Sequence, residues 1–137
     1  MLNAFRAMPL GTLTPVAALL GRRLVHFDAE AGTASLEYLA KAEFANRHGT
    51  VQGGILAAML DSATGAVLME SLSEEFTAVT ARLDTTFLKP APVGPLHATA
   101  RVIAKDGRTA GVEAELTRPD GIVVARAVAY LRIVKRE

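Results

Sequence analysis

The chain contains no cysteine and has almost no net charge, and each of these shortages excludes a class of function. Without cysteine it cannot form disulfides, thiolate metal sites or a cysteine nucleophile, and it is compatible with a reducing compartment. Its formal net charge of +1 provides no field of one sign to attract nucleic acid or an anionic membrane. We therefore expect a protein that binds neither nucleic acid nor a membrane surface.

Long apolar runs are also lacking. The most apolar stretch, residues 55–69, is interrupted by Asp61 and falls short of the roughly 20 residues that a membrane-spanning helix needs. Residues 1–20 include an arginine, two prolines and a glycine, so they lack the unbroken apolar core of a signal peptide. These features predict a cytoplasmic protein in which residues 55–69 belong to a buried helix.

Size and composition indicate that the whole chain, residues 1–137, is a single domain. Half of the residues are hydrophobic and 21% are charged, as is typical of globular proteins, and this length suffices for one core. Thr14 can supply a capping hydroxyl, and Pro15 suits the first position of a helix. Gly21 can end that helix. They predict a short helix in an N-terminal segment, residues 1–21, before the main core, residues 22–137.

Hydrophobic periodicity predicts one long helix and several strands. Residues 24–28 and 33–39 are expected to form a hairpin, while alanine, leucine and methionine without proline predict a helix from Gly53 to about Leu72. The middle of this helix is apolar on every side, so other structure must enclose it. The residues predicted to share one face of each strand are Ala34, Leu36 and Tyr38; Val79, Ala81, Leu83, Thr85 and Phe87; Leu96, Ala98, Ala100, Val102 and Ala104; Ala110, Val112, Ala114 and Leu116; and Ala125, Ala127, Ala129, Leu131 and Ile133.

The remaining strand signals concern turns and the opposite faces. Thr80, Arg82, Asp84 and Thr86 alternate with the second set, which begins at Val79, and are predicted to point the other way. Turns are predicted at Asp106-Gly107 and over residues 119–121. A hairpin, a long buried helix and further antiparallel strands define an α+β fold, in which a curved antiparallel sheet is the natural cover for the helix.

Two features of the helix suggest chemistry. Asp61 is a lone carboxylate in the otherwise uncharged middle of the helix, where burial is costly unless the group is paired, hydrated or facing a cavity. It is either a structural aspartate bonded to neighbouring groups or a general base or nucleophile whose pKa is adjusted by dry surroundings. Gly53 and Gly54 either permit close packing or let a ligand reach backbone N–H groups that could hold an oxyanion.

The spacing of these two features has a consequence for assembly. Asp61 lies eight residues beyond Gly53, which at about 1.5 Å per residue separates them by roughly 12 Å along the helix. They cannot flank one carbonyl within one chain. If both act on one substrate, Gly53 of one subunit must meet Asp61 of another, which a two-fold dimer with antiparallel helices achieves. The catalytic hypothesis therefore predicts an obligate dimer.

The segment Asn46-Arg-His-Gly-Thr-Val-Gln-Gly-Gly-Ile-Leu-Ala-Ala-Met-Leu-Asp61, followed about twenty residues later by residues 80–90, resembles the phenylacetic-acid-degradation (PaaI-like) branch of the hotdog-fold thioesterases. The resemblance extends over nearly the whole chain from Leu24 onwards. It implies a single hotdog domain that hydrolyses acyl-coenzyme A thioesters, as a homodimer and commonly a homotetramer. It implies no cofactor, since coenzyme A is part of the substrate.

The resemblance also implies roles for individual residues. Asp61 would be the general base or nucleophile, the Gly53 N–H would hold the thioester oxygen, Asn46 would orient water or thioester, and the Thr80 hydroxyl would position water. Many relatives have His-Gly-Gly at the start of the helix, whereas this chain has Gln52 before the two glycines. Glutamine can bond a carbonyl but cannot act as a base, which argues against a histidine-dependent mechanism.

Further substrate contacts are expected from polar residues near this segment and at turns. Gln52, Gly54 and His48 are candidates, although a loop histidine is more often solvated or bonded to backbone. Basic residues at turns could meet the phosphates of coenzyme A, and these are Lys89, Lys105 and Arg108, each of which is also readily explained as solvated surface charge. The three histidines show no metal-ligand spacing, and no metal site is expected.

Two other functions fit the same pattern. A hotdog hydratase or dehydratase would pair a histidine with the helix acid, and the glutamine at position 52 disfavours it. A non-catalytic acyl-coenzyme A binding or sensor protein would use the same groove without needing the acid. The sequence leaves the acyl group open, and it does not decide between water activation and an anhydride at Asp61.

Overall fold

The computed structural model describes residues 12–137, which form one curved antiparallel sheet around one long helix. Its elements in chain order are α1 (Pro15–Leu19), β1 (Arg23–Asp28), β2 (Thr33–Ala40), a 3-10 turn (Ala42–Phe44), α2 (Gly53–Ser71), β3 (Phe76–Phe87), β4 (Gly94–Lys105), β5 (Thr109–Thr117) and β6 (Val123–Lys135). The α+β class and the long central helix are confirmed. Residues 1–11 of the predicted N-terminal segment lie outside the described residues, so the extent of the domain stays a prediction.

The short helix α1 begins and ends as its sequence predicts. The Thr14 hydroxyl accepts a 3.3 Å hydrogen bond from the Ala17 N–H, and Pro15 occupies the first turn, where its missing N–H costs nothing. Leu20 caps the C-terminal end, and Gly21 follows with a positive φ of 66°. This end of α1 directs the chain into β1.

The strand order of the sheet is β1-β2-β4-β5-β6-β3, with every pair antiparallel. The strand after α2 therefore does not pair with its successor but crosses to the far side and pairs with β6. As a result β1 and β3 are the two edge strands, and each leaves one side of its backbone unpaired within the chain.

The core lies between the inner face of the sheet and one side of α2. Rows of small and branched residues cross this face in register, for example Leu36, Ala98, Leu116 and Ala125, and all four are buried. The predicted inner faces of β2, β5 and β6 are confirmed, with Ile133 only half-buried at the end. Many of the buried residues on this face are alanines, whose small side chains allow a helix to pack close to a sheet.

The expectation that α2 is enclosed on every side is wrong for the single chain. The sheet covers the side that carries Leu56, Met59, Leu60, Ala63, Thr64, Val67 and Leu68. The opposite side stays open, with Gly54 and Asp61 exposed and Ala58 and Gly65 half-buried. We call this the open face of α2.

None of the described helices is long and apolar enough to cross a membrane.

The alternation predicted for β3 and β4 is also wrong in part, because each strand contains a β-bulge. In β3 the register shifts between Thr80 and Arg82, so that Thr80 lies opposite Leu131 and Leu83 lies opposite Ala129. Residues opposite each other share a face, so Thr80 and Leu83 both lie on the helix side. A similar shift after Val102 turns Ala104 outwards, where it is exposed.

Candidate active site

Asp61 lies on the open face of α2, exposed to solvent within the single chain. The expectation of dry surroundings for this carboxylate is therefore wrong at the level of one subunit. One carboxylate oxygen, Oδ1, accepts a 2.8 Å hydrogen bond from the Thr80 hydroxyl on β3. No other hydrogen bond to this carboxylate occurs among the described residues, so Oδ2 is available to a ligand or to water.

The bulge at Ala81 is what brings Thr80 to Asp61. With unbroken alternation from Leu83, position 80 would point away from the helix. The extra residue shifts the phase of the strand, so the hydroxyl faces α2 at the level of its middle turns. The Asp61–Thr80 pair is thus built by two elements, a central helix and an edge strand.

The start of α2 presents unused backbone donors. Gln52 is the N-cap, but its exposed side chain makes no capping hydrogen bond, and the N–H groups of Gly53 and Gly54 find no acceptor within residues 12–137. A Cβ at Gly53 would lie 3.5 Å from the Phe87 ring, while one at Gly54 would meet nothing within 4 Å. Both donors are therefore open to a partner from outside the chain.

The loop before α2 is held by Asn46. Its Oδ1 accepts hydrogen bonds from the His48 N–H at 2.9 Å and from the Thr50 N–H and hydroxyl at 3.2 Å. This Asx-type turn fixes the loop, and no hydrogen bond joins Asn46 to Asp61 in the described part of the chain. His48 is exposed, as the solvated interpretation of a loop histidine predicts.

The predicted phosphate contacts do not form one cluster. Lys89 follows β3 at the end of the sheet where α2 begins, and its N–H contacts the Val124 carbonyl at 3.2 Å. Lys105 and Arg108 flank the β4–β5 turn at the opposite end of the sheet. All three are exposed. The structure therefore leaves their contact with substrate a prediction.

A polar cluster that sequence reasoning missed lies on the other flank of the open face. The Ser62 hydroxyl is 3.0 Å from the buried Tyr38 hydroxyl and accepts a 3.2 Å hydrogen bond from Nη1 of Arg22. Burial raises the pKa of Tyr38 to about 12, against the lowering effects of the Ser62 hydrogen bond and the Arg22 charge. A weak indication of this cluster was present in the sequence. Tyr38 was predicted on the inner face of its strand, and a buried phenol usually has a hydrogen-bond partner.

A prominent groove in the described residues lies elsewhere. It has a volume of about 750 Å³ and crosses the outer face of the sheet, away from α2. Its charges are paired, with Arg101 2.6 Å from Glu113 and Arg126 3.9 Å from Glu115. None of the predicted site residues lines it. Because a catalytic groove needs free donors and an available acid, the open face of α2 is the better candidate.

Within residues 12–137, no group of three or more histidine, aspartate or glutamate side chains is arranged to hold a metal ion. The donors at the site are instead a carboxylate, a hydroxyl and backbone N–H groups. Such groups can activate water, attack a carbonyl or stabilise an oxyanion.

A curved antiparallel sheet around one long helix defines a hotdog-fold domain. The family model described as the thioesterase superfamily matches residues 48–125. A candidate esterase of Saccharolobus solfataricus is 31% identical over 108 residues, which cover 79% of this chain and 76% of that protein. The chain belongs to the thioesterase superfamily.

Solved structures support the same assignment and indicate the branch. A candidate thioesterase of Ralstonia eutropha JMP134, a phenylacetic acid degradation-related protein, is 37% identical with a TM-score of 0.84, covering 87% of this chain and 90% of that one. The PaaI protein of the E. coli phenylacetic acid degradation operon is 24% identical with a TM-score of 0.80, covering 88% and 85%, and supports the fold alone. The Ralstonia match supports the PaaI-like branch, and together with the family model it supports thioester hydrolysis in general.

Proposed function

We propose that this protein hydrolyses an acyl-coenzyme A or aryl-acyl-coenzyme A thioester to the free acid and coenzyme A. The observation that carries the proposal is the Asp61–Thr80 pair, an available carboxylate oriented by a 2.8 Å hydrogen bond on the open face of α2. An oriented acid next to space for a substrate is what either general-base or nucleophilic attack on a thioester carbonyl requires.

Two routes are compatible with this arrangement. In the first, Asp61 takes a proton from water while the water oxygen attacks the carbonyl carbon, and the proton passes to the departing thiolate. In the second, Asp61 attacks the carbon itself and expels the thiolate, and water then hydrolyses the mixed anhydride. In both, the Thr80 hydroxyl fixes one carboxylate oxygen, and Asn46 is proposed to orient the water or thioester.

The oxyanion donor is proposed to come from a second subunit. Because Gly53 and Asp61 lie roughly 12 Å apart along α2, one chain cannot use both on one carbonyl. Two features support a two-fold dimer with antiparallel helices: β3 has an unpaired edge, and the open face of α2 beside it carries small residues such as Gly54 and Ala58. In such a dimer the unused Gly53 N–H of one subunit would approach Asp61 of the other.

The remaining contacts are proposed for the coenzyme A part of the substrate. Gly54, Gln52 and His48 surround the start of α2, and basic side chains at the sheet ends would meet the phosphates; these are Lys89, Lys105 and Arg108. No cofactor and no metal are proposed. A homotetramer made of two such dimers and a cytoplasmic location remain expectations from the resemblance and the sequence.

The test is thiol release by purified wild-type and Asp61→Asn protein over a panel of short, long and aromatic acyl-coenzyme A esters, with the mass of the assembly measured in parallel. We expect turnover that is lost in the variant while the dimer persists. Ligand binding without turnover by the wild-type protein would instead indicate the acyl-coenzyme A sensor, and water addition to an unsaturated ester would indicate a hydratase. Full activity in a monomer would contradict the shared site.

A further inference from the structure

The free edge of β3 carries two opposite charges on the outer face of the sheet. Leu83 lies opposite the buried Ala129 and so faces the helix, which places Arg82 and Asp84 on the other face. Nε of Arg82 donates a 2.9 Å hydrogen bond to Oδ1 of Asp84. The other guanidinium N–H groups and Oδ2 of Asp84 make no hydrogen bond to the described residues. The edge therefore offers unused donors and an unused acceptor beside the unpaired backbone of β3.

The contacts between α2 and β3 indicate where a two-fold axis would cross this edge. Thr80 bonds Asp61 at 2.8 Å, and the Phe87 ring lies 3.5 Å from the place where a Cβ of Gly53 would be. Asp61 is therefore level with Thr80 along the strand, and Gly53 is level with Phe87. A two-fold axis that brings the partner's Gly53 to Asp61 must cross β3 midway between these two levels, at position 83 or 84. This step rests on the proposed function, because it assumes the shared site.

Strand geometry requires one residue to lie opposite its own copy at that axis. Residues directly opposite each other in an antiparallel pair point to the same face of the sheet, and a two-fold axis through the sheet keeps the faces of the two copies in common. From Arg82 to Phe87 the register of β3 with β6 is regular, so the side chains alternate without interruption there. The axis therefore passes through Leu83 or through Asp84, and these choices differ by two residues in register, about 7 Å.

The charges distinguish the two registers. With the axis at Leu83, Arg82 of each subunit lies opposite the partner's Asp84, and the four side chains form a ring of alternating sign around the axis. With the axis at Asp84, the two aspartates lie directly opposite each other and Arg82 faces the partner's Thr86. Opposite charges stabilise a directly opposed cross-strand pair and like charges destabilise it, so the first register is favoured.

We propose that two copies of this chain pair their β3 strands with Leu83 opposite the partner's Leu83 and with Arg82 bound to the partner's Asp84. The side chains of Arg82 and Asp84 are 70% and 49% exposed, and exposed ion pairs contribute little to affinity. Their role is to select the register, while the unpaired backbone and the half-buried Leu83 provide the contact. The register in turn decides whether the partner's Gly53 comes level with Asp61.

Single cysteines report the register directly, because the native chain contains none. Leu83→Cys should form an intersubunit disulfide on oxidation with diamide, since directly opposed residues of an antiparallel pair have Cα atoms about 4.5–5.5 Å apart. Asp84→Cys should not, because its two copies become diagonal neighbours about 7–8 Å apart. Position 84 is the more exposed of the two, so poor access to the oxidant cannot explain its failure. A cross-link at position 84 as fast as at position 83, or at neither position in a dimer, overturns the proposal.

Charge reversal provides a second test that does not depend on cysteine chemistry. Arg82→Asp places four carboxylates around the axis and should raise the dimer Kd at least about tenfold, measured by sedimentation over a dilution series. Combining Arg82→Asp with Asp84→Arg restores the alternating ring and should return the Kd to near the wild-type value. The matched control Arg23→Asp also breaks a surface pair, with Glu37 at 2.7 Å on the other edge strand, and should leave the Kd unchanged. Equal Kd values for the wild type and Arg82→Asp would contradict the ring.

Neither test uses a substrate, so the register and the proposed function can fail separately. If the wild type hydrolyses no ester while Leu83→Cys cross-links, the proposed function fails and the register stands. If the wild type hydrolyses esters while position 84 cross-links in place of position 83, the register is wrong and the activity stands.

Discussion

The Thr80 hydroxyl donates a 2.8 Å hydrogen bond to Oδ1 of Asp61, joining the edge strand β3 to the middle of α2. This contact exists because a bulge at Ala81 shifts the phase of β3. It holds one carboxylate oxygen and leaves the other towards the open face. A carboxylate held in this way has a fixed orientation even though it lies at the surface of the single chain.

Replacing Thr80 by valine keeps the shape of the side chain and removes the hydroxyl. A hydrogen bond to a charged group is worth about 1.5–3 kcal/mol, so Thr80→Val should lower kcat/KM by about 10- to 150-fold. Thr80→Ser should lose much less, because it keeps the donor. Steady-state kinetics on the best ester, with thermal unfolding as a folding control, checks this. If Thr80→Val has wild-type kinetics, the Thr80 hydroxyl is not needed for the reaction and Thr80 has only a structural role.

The N–H of Gly53 can be removed without disturbing the helix. Gly53 is the first residue of α2, where proline is well tolerated, and Gln52 has φ −57° and ψ 135°, a conformation suited to a residue before proline. Gly53→Pro should fold and lower kcat by about 10²- to 10³-fold if its N–H holds the oxyanion. Gly53→Ala keeps the N–H and adds only a methyl group at ordinary contact distance from Phe87, so it should lose far less. Equal losses in the two variants would point to packing instead.

Mixed assemblies test whether the site is shared between subunits. Consider a heterodimer of one Gly53→Pro subunit and one Asp61→Asn subunit. At one site, the intact Gly53 of the Asp61→Asn subunit meets the intact Asp61 of the Gly53→Pro subunit. The second site combines the two substituted residues. Two nearly inactive proteins that are co-refolded in equal amounts should therefore recover about one quarter of wild-type activity, since half of the dimers are mixed and carry one good site. A site contained within one chain would give no recovery.

Much of the fold could be predicted because its determinants are local. Alternating alanine and larger apolar residues define the inner faces of β2, β5 and β6, and a proline-free apolar run defines α2. The capping threonine and proline define the start of α1 in the same way. In each case the residue pattern and the backbone geometry have the same period, so neighbouring residues suffice to identify the element.

The features that could not be predicted depend on contacts distant in sequence. Nothing near Ala81 marks a bulge, whose position is set by how β3 fits β6 and α2. The open face of α2 could not be anticipated either, because residues such as Ala58 and Gly65 are apolar whether the neighbour is a sheet or another subunit. Arg22 reaches Ser62 across 40 positions, a contact created by the turn at Gly21. The structure was therefore more important for locating the site residues than for recognising the fold.

The raised pKa of Tyr38 predicts that the folded protein loses stability at high pH. Burial raises its pKa from the ordinary 10.0 to about 12, and the Asp61 charge adds to this, while the Ser62 hydrogen bond and Arg22 oppose it. Between these two pH values the folded state keeps the phenol proton that the unfolded state has lost. The free energy of unfolding should therefore be unaffected by this group below pH 10 and fall as the pH rises towards 12.

The Tyr38 contribution can be isolated because the chain has two tyrosines. In Tyr130→Phe protein, the tyrosinate absorbance reports Tyr38 alone and should develop at about pH 12 in the folded state. Denaturant unfolding across the same range should show a steeper alkaline decline than in Tyr38→Phe, which has no phenol to titrate, while the lysine contributions are common to both proteins. Tyrosinate that develops near pH 10 in folded protein would mean that the phenol reaches solvent, and the Tyr38–Ser62–Arg22 contacts could not then be intact.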